Sequence, residues 1–502
     1  MTKRIFLLSL GLSLTSPVFA SEALGLGDSK LQSEYARFLS CGASLPADLK
    51  MPETTSRTGS ARDPVAQLAQ DALATDPAVA KFAIAALRAK GPSGLEAMLN
   101  THAELLKSHS LNSISPGNTD RNEAWLRLKT ALDSIARQRD SYASKLYWYT
   151  DFEQAKAAAR VSGKPILSLR LLGNLDEELS CANSRFFRAT LYANAEVSAY
   201  LRDHFILHWK SVRPVPKVTI DFGDGRKLEG TITGNSIHYV LDSDGQIIDA
   251  LPGLYGAKAF LAGLQQAQAI AKQCSMAAGI ERNRVLHEYH HARLATIESN
   301  WSRDLASVRS SSSVDIKSSI DPVRPAQSSS GPPPAAVAAR AAVSKSMIER
   351  PLLRSAFPVQ PATYTQLETS TDDATWANIA LLHSEEARLD QSSRALLLAK
   401  APSALTAGRL TTSKIAIENP VLRQLRNLER TISEDTVRNE YLFHSKIHEW
   451  LAAETVTPAV DTFNSKIYAE LFLTPDSDPW LGLAQPDICT ALENNGLVSN
   501  TH

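Results

Sequence analysis

The strongest constraint on this chain lies between Tyr147 and Cys274, where the hydrophobic period alternates between helical and extended in a fixed order. Phe152 to Val161 is alanine-rich with helical spacing, and Gly163 closes it. Lys164-Pro165 then leads into Ile166-Leu167-Ser168-Leu169-Arg170-Leu171-Leu172, which reads as a strand. A loop from Gly173 to Ser180 delivers Cys181 to the start of a helix expected over Asn183 to Tyr192. Another helix, Glu196 to Asp203, precedes a second strand from Phe205 to Trp209. Val218–Asp221 and Lys227–Thr233 read as hairpin arms around Gly223-Asp224-Gly225. Ser236–Leu241 and Gln246–Leu251 read as a further hairpin around Asp242-Ser243-Asp244-Gly245, and a last helix is expected from Gly256 to Lys272. Strands joined through a helix can run parallel, whereas hairpin arms pair antiparallel. The order therefore predicts an α/β domain with a mixed sheet.

The flanks carry only the helical period. Asp76-Pro77 reads as a cap with a first-turn proline, followed by Val79, Phe82, Ala83, Ala86 and Leu87 at helical spacing. Further helices are expected over Gly94–Leu106 and from Glu123 through Ile135, and later over Arg282–Ala306, Ala374–Leu398 and Asn419–Glu454. Serine runs and the triple proline 332–334 mark a segment that buries little and behaves as a linker. The expected organisation is multidomain: a leader 1–20, an α-helical N-terminal region 21–145, the α/β domain 146–274, a helix 275–306, a Ser/Pro-rich disordered linker 307–345 and an α-helical C-terminal domain 346–502. The segment Thr474 to Trp480 reads as a proline-broken end that packs its tryptophan on the helices.

The first twenty residues bear on compartment. Lys3 and Arg4 precede an apolar run from Ile5 to about Leu14, and Val18-Phe19-Ala20 offers small or β-branched side chains at the positions that a signal peptidase reads. That run is about ten residues, half of the roughly twenty that span a bilayer. The expected location is therefore periplasmic or secreted, with no membrane span in the mature chain. Cleavage removes two of the 53 basic side chains and none of the 53 acidic ones, leaving a charge near −2. Such a balance gives no electrostatic reason for a nucleic-acid partner. All four cysteines, Cys41, Cys181, Cys274 and Cys489, follow the leader and permit three disulfide connectivities. None pairs as Cys-x-x-Cys, so neither a zinc site through cysteine nor a dense disulfide scaffold is expected.

Ala155-Lys156-Ala157-Ala158-Ala159, Gly163-Lys164-Pro165, the apolar strand and Cys181 at a helix start are similar to the front half of secreted thioredoxin-like proteins. Glu196-Val197 through Leu207 resembles that family's next helix and strand, and Tyr239 to Gln246 its hairpin. The resemblance covers about a quarter of the chain and implies a central thioredoxin-like domain. It also shows departures. Redox-active members carry Cys-x-x-Cys at this helix, where the present chain reads Cys181-Ala182-Asn183-Ser184. The family's cis-proline position falls on Asn235 or Ser236, and its strand acid is replaced by Ser168 and Arg170.

The resemblance implies thiol–disulfide exchange or mixed-disulfide capture through Cys181, with a protein substrate or thiol partner and no cofactor. A helix N-terminus favours a thiolate, Arg185 and Arg188 add positive charge, and Ser184 can bond the sulfur without resolving a mixed disulfide. His238, on the face of Ser236, is a candidate base. The competing reading is a non-catalytic interaction protein using a degenerate fold, with Cys181 buried or bridged to Cys274.

Histidines supply a separate signal. His287-Glu288-Tyr289-His290-His291 matches His-Glu-x-x-His at 287, 288 and 291, a weak candidate zinc site on a helix face that otherwise reads as solvated. His444 and His448 are also four apart and read as packing or hydrogen-bonding residues. No Gly-x-Ser-x-Gly, phosphate-binding loop or dinucleotide fingerprint occurs, and the Asp221/Asp224 and Asp242/Asp244 pairs read as turn formers.

Overall fold

The structure is a computed structural model that describes residues 63–111, 119–231, 234–311, 367, 371–400, 414–475 and 477. The expected leader, Cys41, Cys489, Trp480 and nearly all of the expected linker lie outside the described residues.

The N-terminal flank is helical: α1 (Pro64–Asp71), α2 (Pro77–Ala89), α3 (Pro92–Thr101), α4 (Ala103–Leu111), α5 (Thr119–Ala136) and the short α6 (Ser141–Ser144). Asp63 and Asp76 cap α1 and α2 by accepting from the Val65 and Ala78 amides, each with proline in the first turn. Their inner faces form a core of their own around Leu87, Met98, Leu128, Leu132 and Ile135. Arg88 ties this bundle to the next region by donating to the Ile135 carbonyl at 2.8 Å and the Trp148 carbonyl at 2.6 Å.

The centre follows the expected order. Helix α7 (Phe152–Ser162) is capped by Asp151 and ends on Gly163 at φ 70°. Strand β1 (Ile166–Leu172) leads through the loop to α8 (Ala182–Phe186), which runs on as a π-helical turn, Phe187–Leu191. Then come α9 (Ala195–His204), β2 (Ile206–Arg213), β3 (Lys217–Asp221), β4 (Lys227–Thr231), β5 (Ser236–Leu241), β6 (Ile247–Pro252) and α10 (Ala257–Ser275). Four strands form one mixed sheet in the order β2-β1-β5-β6. β1 pairs parallel with β2 and antiparallel with β5, which pairs antiparallel with β6. Every residue of β1, β5 and β6 is buried, the mark of a sheet covered on both faces. The β3–β4 hairpin is a separate two-stranded sheet.

The C-terminal helices differ from the sequence expectation in informative ways. Helix α11 (Gly279–Ser311) extends beyond Ala306. The single helix expected over Ala374–Leu398 is two, α12 (Asp373–Leu382) and α13 (Gln391–Ala399), parted by a 3₁₀ turn at Ser384–Glu386. Asp390 explains the break: its carboxylate caps α13 by accepting from the Ser393 amide. The helix expected over Asn419–Glu454 runs as α14 (Lys414–Arg438), a π-helical turn at Asn439–His444 and α15 (Ser445–Ala453). Helix α16 (Val460–Lys466) and another π-helical turn, Ile467–Leu471, complete it.

These helices share the hydrophobic core of the sheet. Ile432, Phe443, Ile447, Ile467 and Tyr468 belong to the same buried cluster as Leu169, Val240 and Leu251. Two glycines record the closeness of approach. A Cβ on Gly253, at φ 73°, would sit 2.5 Å from the Asn439 amide nitrogen, and one on Gly256 would sit 2.4 Å from the Glu386 carbonyl oxygen. Asn439 uses that proximity to donate to the Leu254 carbonyl at 2.7 Å. Among the described residues no helix is long and apolar enough to cross a membrane.

Candidate functional site

Cys181 occupies the N-cap position of α8, reached because β1 ends at Leu172 and the Cys181 amide returns to donate to the Leu172 carbonyl at 3.2 Å. Its side chain is fully buried, and its sulfur lies 3.1 Å from the Ser236 hydroxyl at the start of β5. Tyr192 follows the π-helical turn after α8 and, like Tyr468, is fully buried near the sulfur, burial raising the pKa of both hydroxyls. Arg185 also senses the sulfur; burial lowers its pKa, and it donates to Thr231 Oγ1 at 3.0 Å. Arg188 binds the loop instead, donating to the carbonyls of Leu175, Glu177 and Glu178. The two arginines expected to sit beside the thiol therefore brace its surroundings.

Ser184 and His238 are engaged elsewhere. The Ser184 hydroxyl lies 2.6 Å from Ser180 Oγ and 2.9 Å from the Cys181 carbonyl, a bond back to the preceding turn, so the sulfur's hydroxyl partner is Ser236 and not Ser184. His238 Nε2 lies 2.6 Å from the Tyr192 hydroxyl, with the Phe187 and Phe260 rings against it. Its Nδ1 has no partner, and burial lowers its pKa to about 3, so the ring is neutral at physiological pH. It meets Tyr192 rather than the thiol. The bridge between Cys181 and Cys274 entertained from sequence is not formed: both are free and buried. No cis peptide occurs among the described residues, at Asn235–Ser236 or elsewhere.

The C-terminal arm covers this region. Tyr468 donates to the Asn235 carbonyl at 3.1 Å, and the Asn235 amide donates to Thr474 Oγ1 at 3.1 Å. Arg213 at the end of β2 donates to the carbonyls of Thr474 and Pro475. On β1, buried Arg170 donates to Ser168 Oγ at 2.6 Å and to Asp461 of α16 at 3.1 Å, while Lys210 reaches the same carboxylate at 2.8 Å. His208 lies 2.8 Å from Ser168 Oγ; burial first and the Arg170 charge second lower its pKa to about 3. Sequence alone offered Ser168 and Arg170 where an acid was expected. The carboxylate that meets Arg170 is Asp461, 291 residues away along the chain.

On α11 the matched pair His287 and His291 faces solvent with ring nitrogens 3.1 Å apart. Glu288 points to Arg284, 2.5 Å away, and among the described residues no third donor joins them. The histidine that turns inward is His290, which is 2 % exposed. It shares the buried helix face of Leu286, Tyr289 and Ile297. Comparison with protein-family models, with curated proteins and with solved structures finds no match for this chain.

Proposed function

We propose that the central domain is a degenerate thioredoxin-like fold, and that the chain is an exported, non-catalytic interaction protein built on it. The architecture is supported by the strand order β2-β1-β5-β6, with a parallel pair followed by an antiparallel hairpin, and by Cys181 opening the helix after β1. Export rests on the pattern of the first twenty residues. The observation that carries the non-catalytic reading is the covering of Cys181. Its fully buried sulfur contacts Ser236, and the chain's own Tyr468 and Thr474 hold the neighbouring Asn235. A nucleophilic thiol must reach its substrate, and exchange also needs a thiolate. Here the approach is filled by the C-terminal arm, Ser184 does not touch the sulfur, and His238 is neutral and bonded to Tyr192. The sheet then serves as a platform that fixes the helices around it, and partners meet the outer helical surfaces.

Alkylation tests this. The reduced full chain, treated with iodoacetamide under native conditions and mapped by mass spectrometry, is expected to leave Cys181 unmodified, with full modification in denaturant. Native alkylation of Cys181 at the rate of an unhindered thiol would restore thiol–disulfide exchange as the leading reading.

A further inference from the structure

Asp249 sits in β6 with its whole side chain buried, and the residues that meet it come from distant parts of the chain. His444 Nε2 lies 3.0 Å from Asp249 Oδ1, and His448 Nε2 lies 3.8 Å from the same oxygen. The three offer one donor atom each within 4.8 Å of one another. His444 ends the π-helical turn Asn439–His444 and His448 lies one turn into α15, so the pair presents both rings to the sheet.

The outer nitrogens of both rings are already held. His444 Nδ1 lies 2.8 Å from Glu440 Oε2, and Glu440 is fixed by Arg293 at 2.7 Å. His448 Nδ1 lies 2.9 Å from Nδ1 of His290, the inward histidine of α11. Asp249 Oδ2 accepts from the Tyr289 hydroxyl at 2.5 Å. Each of the three inner groups thus has a fixed outer partner, the arrangement that orients metal-binding histidines and carboxylates and sets their tautomers. Among the three inner groups, one polar atom lacks a partner. His448 Nε2 makes no hydrogen bond although its residue is fully buried, and it faces Asp249. A buried ring nitrogen left in this way normally has a partner, an ordered water or an ion among them.

We propose that Asp249, His444 and His448 bind one divalent transition-metal ion, zinc by preference, which clamps β6 to the C-terminal helices. Two imidazoles and a carboxylate are a borderline-to-hard donor set suited to zinc. Donors each about 2.0–2.1 Å from a tetrahedral zinc stand roughly 3.3 Å apart. The two separations from Asp249 Oδ1, 3.0 and 3.8 Å, bracket that value, and all three donor atoms lie within 4.8 Å of one another. Three protein donors leave the fourth position of a tetrahedral zinc to a non-protein ligand, and burial of all three keeps the ion away from bulk solvent, so it would hold elements together rather than meet a substrate. The site is independent of Cys181 and stands or falls apart from the proposed function.

The test uses tag-free full-length protein stripped with a chelator, given zinc, desalted and analysed for metal. One zinc per chain is expected. Cobalt in place of zinc should give visible d–d absorption of four-coordinate intensity. His448→Gln is expected to abolish stoichiometric binding. Glu440→Gln, which touches only the outer shell, should weaken it about 10- to 100-fold. His287→Ala/His291→Ala is expected to leave it unchanged. Absence of stoichiometric zinc and cobalt in the wild-type chain would overturn the proposal, whatever the folding of the variants. Equal binding by wild type and folded His448→Gln, or loss of binding in the exposed-pair variant, would overturn it too.

Discussion

At the start of β5 the Cys181 sulfur meets one hydroxyl, Ser236, and is enclosed by the C-terminal arm. Three residues before the end of its neighbour β6, Asp249 meets His444 and Tyr289, with His448 just beyond hydrogen-bond distance. Both places are fully buried on one sheet, yet they solve burial differently. Around Cys181 the polar groups are few and uncharged or face away, so the pocket behaves as core with one weak hydrogen bond. Around Asp249 the groups are ionisable and interlocked, so each is tolerable only because the others are present. The first arrangement can lose its central group cheaply. The second cannot.

Substitution of the two central groups tests that contrast directly. Asp249→Asn removes the negative charge facing His444 and His448 and leaves Tyr289 and His444 mismatched, so urea denaturation should show a loss of about 3–5 kcal/mol. Cys181→Ala removes a buried sulfur of ordinary core character and should cost about 1 kcal/mol or a little more. Equal losses for the two variants would break the comparison.

The contact that closes the arm over Cys181 gives an intermediate effect. Asp461 is 62 % exposed, but its partner Arg170 is only 2 % exposed. Asp461→Asn should therefore cost about 2 kcal/mol, between a surface pair and a buried one. It should also speed native alkylation of Cys181, because α16 loses its anchor on β1 and β2. Unchanged protection in a measurably destabilised variant would mean that the arm is not what shields the thiol.

An effect read against pH sharpens the charged side of the contrast. His383 lies 2.7 Å from Asp304 and 2.8 Å from Glu386. Those two hydrogen bonds, opposed by burial, raise its pKa from 6.5 to about 10. The other groups facing this site are Arg303 and Tyr441; Tyr441 donates to Asp304 at 2.5 Å and its own pKa is raised. A raised histidine pKa contributes stability that is complete below about 6.5 and is lost as pH rises through about 10. Stability should fall across that window with a slope of at most ~1.4 kcal/mol per pH unit. His383→Gln should flatten it. A wild-type curve already flat from pH 7 to 10 would show that the pair contributes nothing.

Much of the architecture was legible because its signals are local. Ile166–Leu172 is a strand in both readings, and the second hairpin lies at Ser236–Leu241 and Ile247–Pro252 where its turn residues put it. The caps at Asp63 and Asp76 and the stop at Gly163 follow from one side chain or one φ angle. The π-helical turns were not legible, since an extra residue shifts the hydrophobic stripe by a single position, and the broad buried faces here carry apolar residues on both sides of that shift. Nor was the break at Ser384–Glu386, where helix-forming residues continue and a later cap decides. For the candidate site, Cys181 at a helix start was readable and its burial was not.

The sequence by itself determined the order of helices and strands, the lone cysteine of the Cys-x-x-Ser motif and two histidine pairs four residues apart on its later helices, His287/His291 and His444/His448. Only the tertiary structure decided which of these groups meet. On α11, His287 and His291 look outward and His290 inward, because the burying face is set by what packs against the helix. Asp249 and His444 are 195 residues apart and touch at 3.0 Å. Periodicity reports which residues share a face of one element. The register between elements is fixed by packing in three dimensions, and that brings a strand carboxylate to two helix histidines while sealing a thiol beneath the arm.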